Sequence, residues 1–309
     1  MAVPSGAVVC KVGIYIRTLH ITEVDEQFEA QLYWWLRVDD AERDRDYSFV
    51  RDIEFLNSNG TMEVHEEVYD PESGYYYVSG TADLRIPYGA EYAAFPFDRQ
   101  RLDIAIENTT ANVDRVIYIA DDRDRPINDA ALRDVTFLNG DQYIAELTHR
   151  ASTTAYQTRF GDPRVANSDD YARLTFTAHV LRVPLGVFLK ISIPLFIVLF
   201  LSYLVFFIPD HEIGTAASLT VTSLIAAIAF QWTMNDSLPK VSYLTVIDKV
   251  FYVVYLFVFY AMTQTVVTFN LSQGSDRQRA LSTASERWSR VLFPLAFVGA
   301  VGAILFHYA

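Results

Sequence analysis

After Arg182 the chain carries four apolar segments, at about 184–208, 216–234, 250–271 and 291–308. Each is close to the 17–25 residues that a helix needs to cross about 30 Å of hydrocarbon. No other feature constrains the fold as strongly, because backbone inside lipid must satisfy its own hydrogen bonds, and helices of this length do so. The charge divides at the same point. Residues 1–183 hold 18 Lys and Arg against 32 Asp and Glu, a net of −14, while residues 184–309 hold 7 against 6, a net of +1. An acidic, water-exposed domain (1–183) is therefore expected to precede a membrane domain (184–309). The acidic surface repels phosphate, which argues against nucleic acid, and raises the local concentration of cations.

Orientation follows from the connection between the third and fourth segments, read as a loop with Arg277, Arg279, Arg287 and Arg290 against Asp276 and Glu286. Short basic loops stay in the cytoplasm. Four spans then put both the first domain and Ala309 outside. The first ten residues lack the basic start and apolar core of a secretory leader, so an outside domain is expected to use a leader not seen in this sequence.

The first half is expected to be all β. Segments 12–19, 28–38, 74–80, 102–107 and 116–119, and the pair 155–160 with 172–181, are rich in β-branched and aromatic residues. Turn signals separate them at 57–60, 70–74 and 161–163. Many short strands without a long helix predict an antiparallel sandwich. No internal repeat or low-complexity linker intervenes, so strand runs into membrane helix at Arg182-Val183-Pro184.

The second apolar segment is not uniformly apolar. At about 100° per residue, Ser218, Thr222, Ile225, Ala229 and Trp232 fall in a band roughly 80° wide, and Asp236 joins it if the helix persists. Small hydroxyls gain nothing from hydrocarbon. Such a stripe suits water, although Ser and Thr also pack helices together. One stripe cannot enclose water, so a pore requires several copies. A membrane-anchored binding or adhesion sandwich without conduction is the competing reading, and it predicts uninterrupted apolar helices. The single cysteine, Cys10, excludes an intramolecular disulfide, and the six histidines lack metal-ligand spacing. No nucleophile, phosphate loop or paired-acid motif points to an enzyme, a metal or a cofactor.

The segment Tyr88 to Leu102 contains Phe95-Pro96-Phe97-Asp98, and this loop resembles the signature loop of the pentameric ligand-gated ion channels, the Cys-loop receptor superfamily. Tyr88 and Leu102 stand where animal members carry cysteines, as in the bacterial branch. The resemblance extends along the chain: Pro194 in the first helix, the striped second helix, Leu238-Pro239-Lys240 and Thr245 to Asp248 before the third, and Phe293-Pro294 at the start of the fourth. It implies a homopentamer of four further identical subunits in a lipid bilayer, with Ser218, Thr222, Ile225, Ala229, Trp232 and Asp236 lining the pore. Trp232 forms an upper barrier or braces the helix interface, and the sequence leaves both open.

Monovalent cations are the expected permeant ions, with Glu212 as the selectivity candidate because the family's acid is absent at Gly214 and Thr215. Gating is expected to involve Glu23, Phe95, Pro96, Phe97, Asp98, Arg182, Pro239 and Lys240, with Asp98 and Arg182 as an ion pair. Agonist candidates are Tyr33, Trp35, Glu54, Glu107, Phe160 and Tyr171, for a small amine or a proton. Leu56 and Thr109 replace aromatics of acetylcholine-type receptors, which weakens a full cation–π cage.

Overall fold

The fold was obtained as a computed structural model. It describes all residues except 1–3, 5, 40–45, 71, 73, 124–125, 127–131, 135–136, 139, 159–169, 236–240 and 309. Phe160, Asp236, Pro239 and Lys240 lie outside the described residues. The chain divides into two units: residues 1–90 with 99–181, and residues 91–98 with 182–309. The loop 91–98 thus groups with the helices although both flanking strands belong to the first unit, a division that a single cut at 183/184 does not express.

The first unit is a sandwich of two sheets. Its strands are β1 (Val8–Thr22), β2 (Gln27–Val38), β3 (Ile53–Phe55), β4 (Asn59–Asp70), β5 (Tyr75–Pro87), β6 (Arg99–Asn108), β7 (Val116–Ala120), β8 (Gln142–Ala155) and β9 (Asp170–Arg182). One sheet runs β4-β5-β2-β1-β7 and the other β3-β6-β9-β8. Alternation explains the core: in β2, Phe28, Ala30, Leu32, Trp34, Leu36 and Val38 are buried and the residues between them face outward. Gly13 is required by packing, because a Cβ there would stand 2.1 Å from the Trp35 indole.

Three details differ from the sequence expectation. The sandwich is not wholly antiparallel, since β7 pairs with β1 in parallel from Val8 opposite Val116 to Val12 opposite Ala120. The strand expected at 155–160 ends at Ala155 and extends back to Gln142. β4 carries no core-facing row: its first nine residues are all exposed, as befits an edge strand. Without apolar alternation it left no periodic signal.

The second unit holds α1 (Pro184–Leu204), α2 (Ile213–Asn235), α3 (Val246–Ser272) and α4 (Asp276–Tyr308), all long and apolar enough to cross a membrane. Thr245 and Asp248 form a capping box that starts α3, satisfying amide groups at its first turn. The arginine-bearing connection is not a loop. Only residues 273–275 separate α3 from α4, and the four arginines sit on the helix itself. At 33 residues, α4 spans about 50 Å, well beyond about 30 Å of hydrocarbon. Its charged first half has good helix formers and no breaker, so the helix continues past the apolar limit. Phe293 anchors the bundle, with the rings of Tyr203, Phe206, Phe257 and Tyr260 at 5.0–6.3 Å.

Candidate pore, gating loop and agonist face

In α2 the buried residues are Ala216, Thr220, Ser223 and Ala227. At 100° per residue their mean direction lies about 170° from the Ser218–Trp232 stripe. Every described stripe residue is exposed, including Ile225 at 62% and Trp232 at 71%. The buried face meets α3, where Thr220 Oγ1 lies 3.1 Å from Met262 Sδ and Tyr255 donates to Gln231. The polar stripe is thus free of its own subunit's packing. Its hydroxyl protons are committed to the helix: Ser218 donates to the Gly214 carbonyl at 2.8 Å, and Thr222 to the Ser218 carbonyl at 2.7 Å. The outward hydroxyl oxygens are left as acceptors. At the foot of the helix, Glu212 is exposed and accepts a hydrogen bond from Thr215 at 2.9 Å.

The loop 91–98 is pinned to the helical unit. The Tyr92 amide donates to the Tyr243 hydroxyl and the Val246 amide to the Ala93 carbonyl. Phe97 packs against Phe188 of α1, with centroids 6.4 Å apart, and Pro96 and Phe97 border an apolar cleft with Ile191, Leu195 and Val250. Arg182 Nε donates to Asp98 Oδ1 at 2.9 Å, and both side chains are almost wholly buried. The Arg182 guanidinium also lies 4.8 Å from the centroid of Phe95. The register explains the meeting: Arg99 pairs with Leu181 across β6 and β9, so Asp98, just before β6, and Arg182, the last residue of β9, occupy the next positions. Glu23, in the turn between β1 and β2, accepts a hydrogen bond from Gln142.

Of the agonist candidates, Tyr33 and Trp35 lie on the outward face of β2, not in the core. The Arg17 guanidinium sits 5.2 Å from the centroid of Tyr33, and Trp35 donates through its indole nitrogen to Asp121 at 3.1 Å. The cation position over Tyr33 is therefore occupied from within the chain. On the other sheet, Glu54 is exposed and stands opposite Glu107, and Glu107 stands opposite Arg173. Glu107 is buried, accepts a hydrogen bond from Arg173 Nε at 2.9 Å, and forms an ion pair with the same guanidinium, with Nη2 also 2.9 Å away. Arg173 also donates to the Tyr156 hydroxyl at 2.9 Å, and Tyr156 meets Tyr171 edge-on at 5.7 Å. Burial, then the hydrogen bond to Glu107, raises the pKa of the Tyr156 hydroxyl and keeps it neutral. Sequence reasoning missed Arg173 and Tyr156. The signal available was the alternation of β9, which turns Arg173 to the same face as the acids of β6.

The chain thus combines a two-sheet sandwich with four helices long and apolar enough to cross a membrane, and the loop 91–98 between two strands belongs to the helical unit. Residues 191–295 match the family model described as the neurotransmitter-gated ion-channel transmembrane region. The chain is similar to a proton-gated ion channel of Gloeobacter violaceus, 26% identical over 67% of this chain and 53% of that protein. It is also similar to the acetylcholine receptor subunit epsilon of Xenopus laevis, 24% identical over 74% of this chain and 45% of the receptor subunit. A neuronal acetylcholine receptor subunit alpha-9-I of Oncorhynchus mykiss shares 31% identity over 34% of this chain and 17% of its own. The chain thus spans about half the length of these curated relatives, or less. Its helical unit is therefore similar to the membrane region of ligand-gated channels, and it carries four helices long and apolar enough to cross a membrane.

Proposed function

We propose that this chain is one subunit of a homopentameric, cation-selective channel whose pore is lined by α2 and opened from the sandwich by a small ligand or by protons. The single observation that carries the reading is the exposed polar stripe opposite the packed face of α2. Five-fold repetition turns each stripe residue into a ring. Ser218 and Thr222 supply acceptor oxygens that replace part of a cation's hydration, because their protons are bonded within the helix. Ile225 and Ala229 form an apolar constriction that closes by dewetting. Glu212, exposed at the foot of the helix, adds negative charge at the inner mouth, and the net −14 of residues 1–183 enriches cations above the pore.

Gating follows the chain path. β6 begins directly after Asp98 and β9 ends at Arg182, so a shift between these neighbouring strands is delivered to one buried ion pair at the head of α1. The test is current recording from purified protein in planar bilayers under a potassium chloride gradient, with pH steps and small-molecule additions. The reading requires stepwise currents that reverse near the potassium equilibrium potential, and Glu212→Gln moves the reversal toward zero. A reversal at the chloride potential overturns the selectivity, and the absence of stepwise current under all conditions overturns the channel.

A further inference from the structure

α2 is held against α3 differently along its length. Over the inner and middle turns the buried residues Ala216, Thr220, Ser223 and Ala227 are all small. They let the helices approach closely but resist a roll about the helix axis only weakly. The outer end is tied by larger groups. The Phe230 ring meets the buried Phe251 ring with centroids 5.8 Å apart, and the Tyr255 hydroxyl donates to Gln231 Oε1. Tyr255 is itself flanked by Phe251 and Tyr252, each with its ring centroid 6.4 Å away. Away from water such a hydrogen bond has no ready substitute, and breaking it leaves two polar groups unpaired. At about 100° per residue, Gln231 lies about 100° to one side of Trp232 and Phe230 about 160° to the other. Rolling α2 in either direction therefore lifts one of the two ties away from α3. Trp232 is kept on the open side of the helix, where it is 71% exposed.

From this arrangement we infer that Gln231 and Tyr255 are positioning residues of the pore: their hydrogen bond fixes the roll of the outer half of α2 and so aims Trp232 at the axis, where five-fold repetition makes an indole ring above Ile225 and Ala229. Ala229 has no bulk to share that level, so the indoles set the aperture there. Without the tie, the outer turns roll, the indoles swing toward the neighbouring helices and the ring widens. The inference rests on the reading that α2 lines the pore, and it decides between the two roles that the sequence leaves open for Trp232, barrier and brace, in favour of the barrier.

Single-channel currents of the purified full-length protein in planar bilayers test this with two variants. Tyr255→Phe keeps the ring and loses the donor, and Gln231→Leu loses the acceptor at similar volume. Trp232→Ala is expected to raise conductance by about 1.5-fold or more, because it empties the ring. Each tie variant should raise conductance too, and should change it no further once Trp232→Ala is present. That last result separates aiming of the indole from a general loosening of the bundle. Unchanged conductance in both tie variants overturns the inference, as does unchanged conductance in Trp232→Ala. A second measurement needs no current. Trp232→Cys, with and without Tyr255→Phe, is labelled in the purified protein by a charged, water-soluble maleimide, and the rate is read by mass spectrometry. Tyr255→Phe is expected to slow labelling by about three-fold or more, the factor set by a modest interhelical hydrogen bond, and to leave the rate at Ile225→Cys unchanged. Equal rates at Trp232→Cys overturn the inference. Because labelling reports on α2 whether or not ions flow, a parent protein without stepwise current sinks the pore reading, whereas equal labelling rates sink only the tie.

Discussion

The two units of this molecule finish their folding in different ways. The sandwich completes its core within one chain, with Trp34, Phe28, Tyr118 and Leu102 all nearly inaccessible. A buried polar pair sits inside it: Asn108 donates to the Phe49 carbonyl and the Tyr118 hydroxyl, and Tyr118 donates to the Val50 carbonyl. The helices do the opposite. Only 22–28% of the apolar windows of α1 to α3 is buried, and 6% of that of α4. Large apolar side chains such as Leu185, Phe196, Leu256, Phe259 and Leu295 stay uncovered. The helical unit leaves most of its apolar surface uncovered as a single chain. In the proposed channel, lipid and neighbouring subunits cover that surface and the polar face of α2 meets water.

The largest expected effect lies where the helical unit behaves like the sandwich, at the buried ion pair of Asp98 and Arg182. Asp98→Asn leaves the Arg182 charge buried without its partner and should cost about 3–5 kcal/mol. It should be read as loss of folded pentamer on size exclusion, partly restored by adding Arg182→Gln. Next, one chemical change should divide the two regions. Leu102→Ala in the sandwich core should cost about 2–5 kcal/mol, seen as a lower melting temperature. Leu295→Ala on the outer face of α4, where Leu295 is 64% exposed, should stay within about 0.5 kcal/mol. Equal costs would break the comparison.

A smaller effect is expected where α4 is tied to α3. Lys249 donates to the Tyr308 hydroxyl and lies 4.5 Å from that ring's centroid. Tyr308→Phe keeps the ring and loses the hydrogen bond, for about 1 kcal/mol, measurable by thermal denaturation in detergent. The smallest concerns the sandwich surface. The hydrogen bond from Lys11, aided by the Arg37 and Arg123 charges, lowers the Asp39 pKa below the ordinary carboxylate range. A depressed carboxylate stabilises the fold above its unfolded pKa and loses that contribution as pH falls through its folded pKa. Asp39→Asn should therefore lower stability slightly at neutral pH and leave it unchanged below the folded pKa of Asp39, which flattens the acid limb of a melting-temperature curve against pH.

Much of this was legible in the sequence because lipid imposes a coarse rule on length and polarity. The four helices and the face of α2 follow from periodicity alone, and Asp98 with Arg182 follows from resemblance. The misses have physical causes. α4 begins at Asp276 because polarity ends a membrane span but does not end a helix, and only Gly274 and its neighbours break the chain there. β4 was invisible because an exposed edge strand needs no apolar alternation. Glu107 read as an open acid because its partner, Arg173, is 66 residues away and meets it only through the β6–β9 register.

Cysteine accessibility tests the pore assignment most directly. The chain's only native cysteine, Cys10, is buried in the sandwich, and burial raises the pKa of its thiol so that background reactivity is low. Thr222→Cys, Ile225→Cys, Ala229→Cys and, on the packed face, Ala227→Cys are exposed to a charged, water-soluble thiosulfonate during bilayer recording. If α2 lines the pore, current through the first three is irreversibly blocked and Ala227→Cys is unaffected. Block at Ala227→Cys with no block at the other three would contradict the assignment.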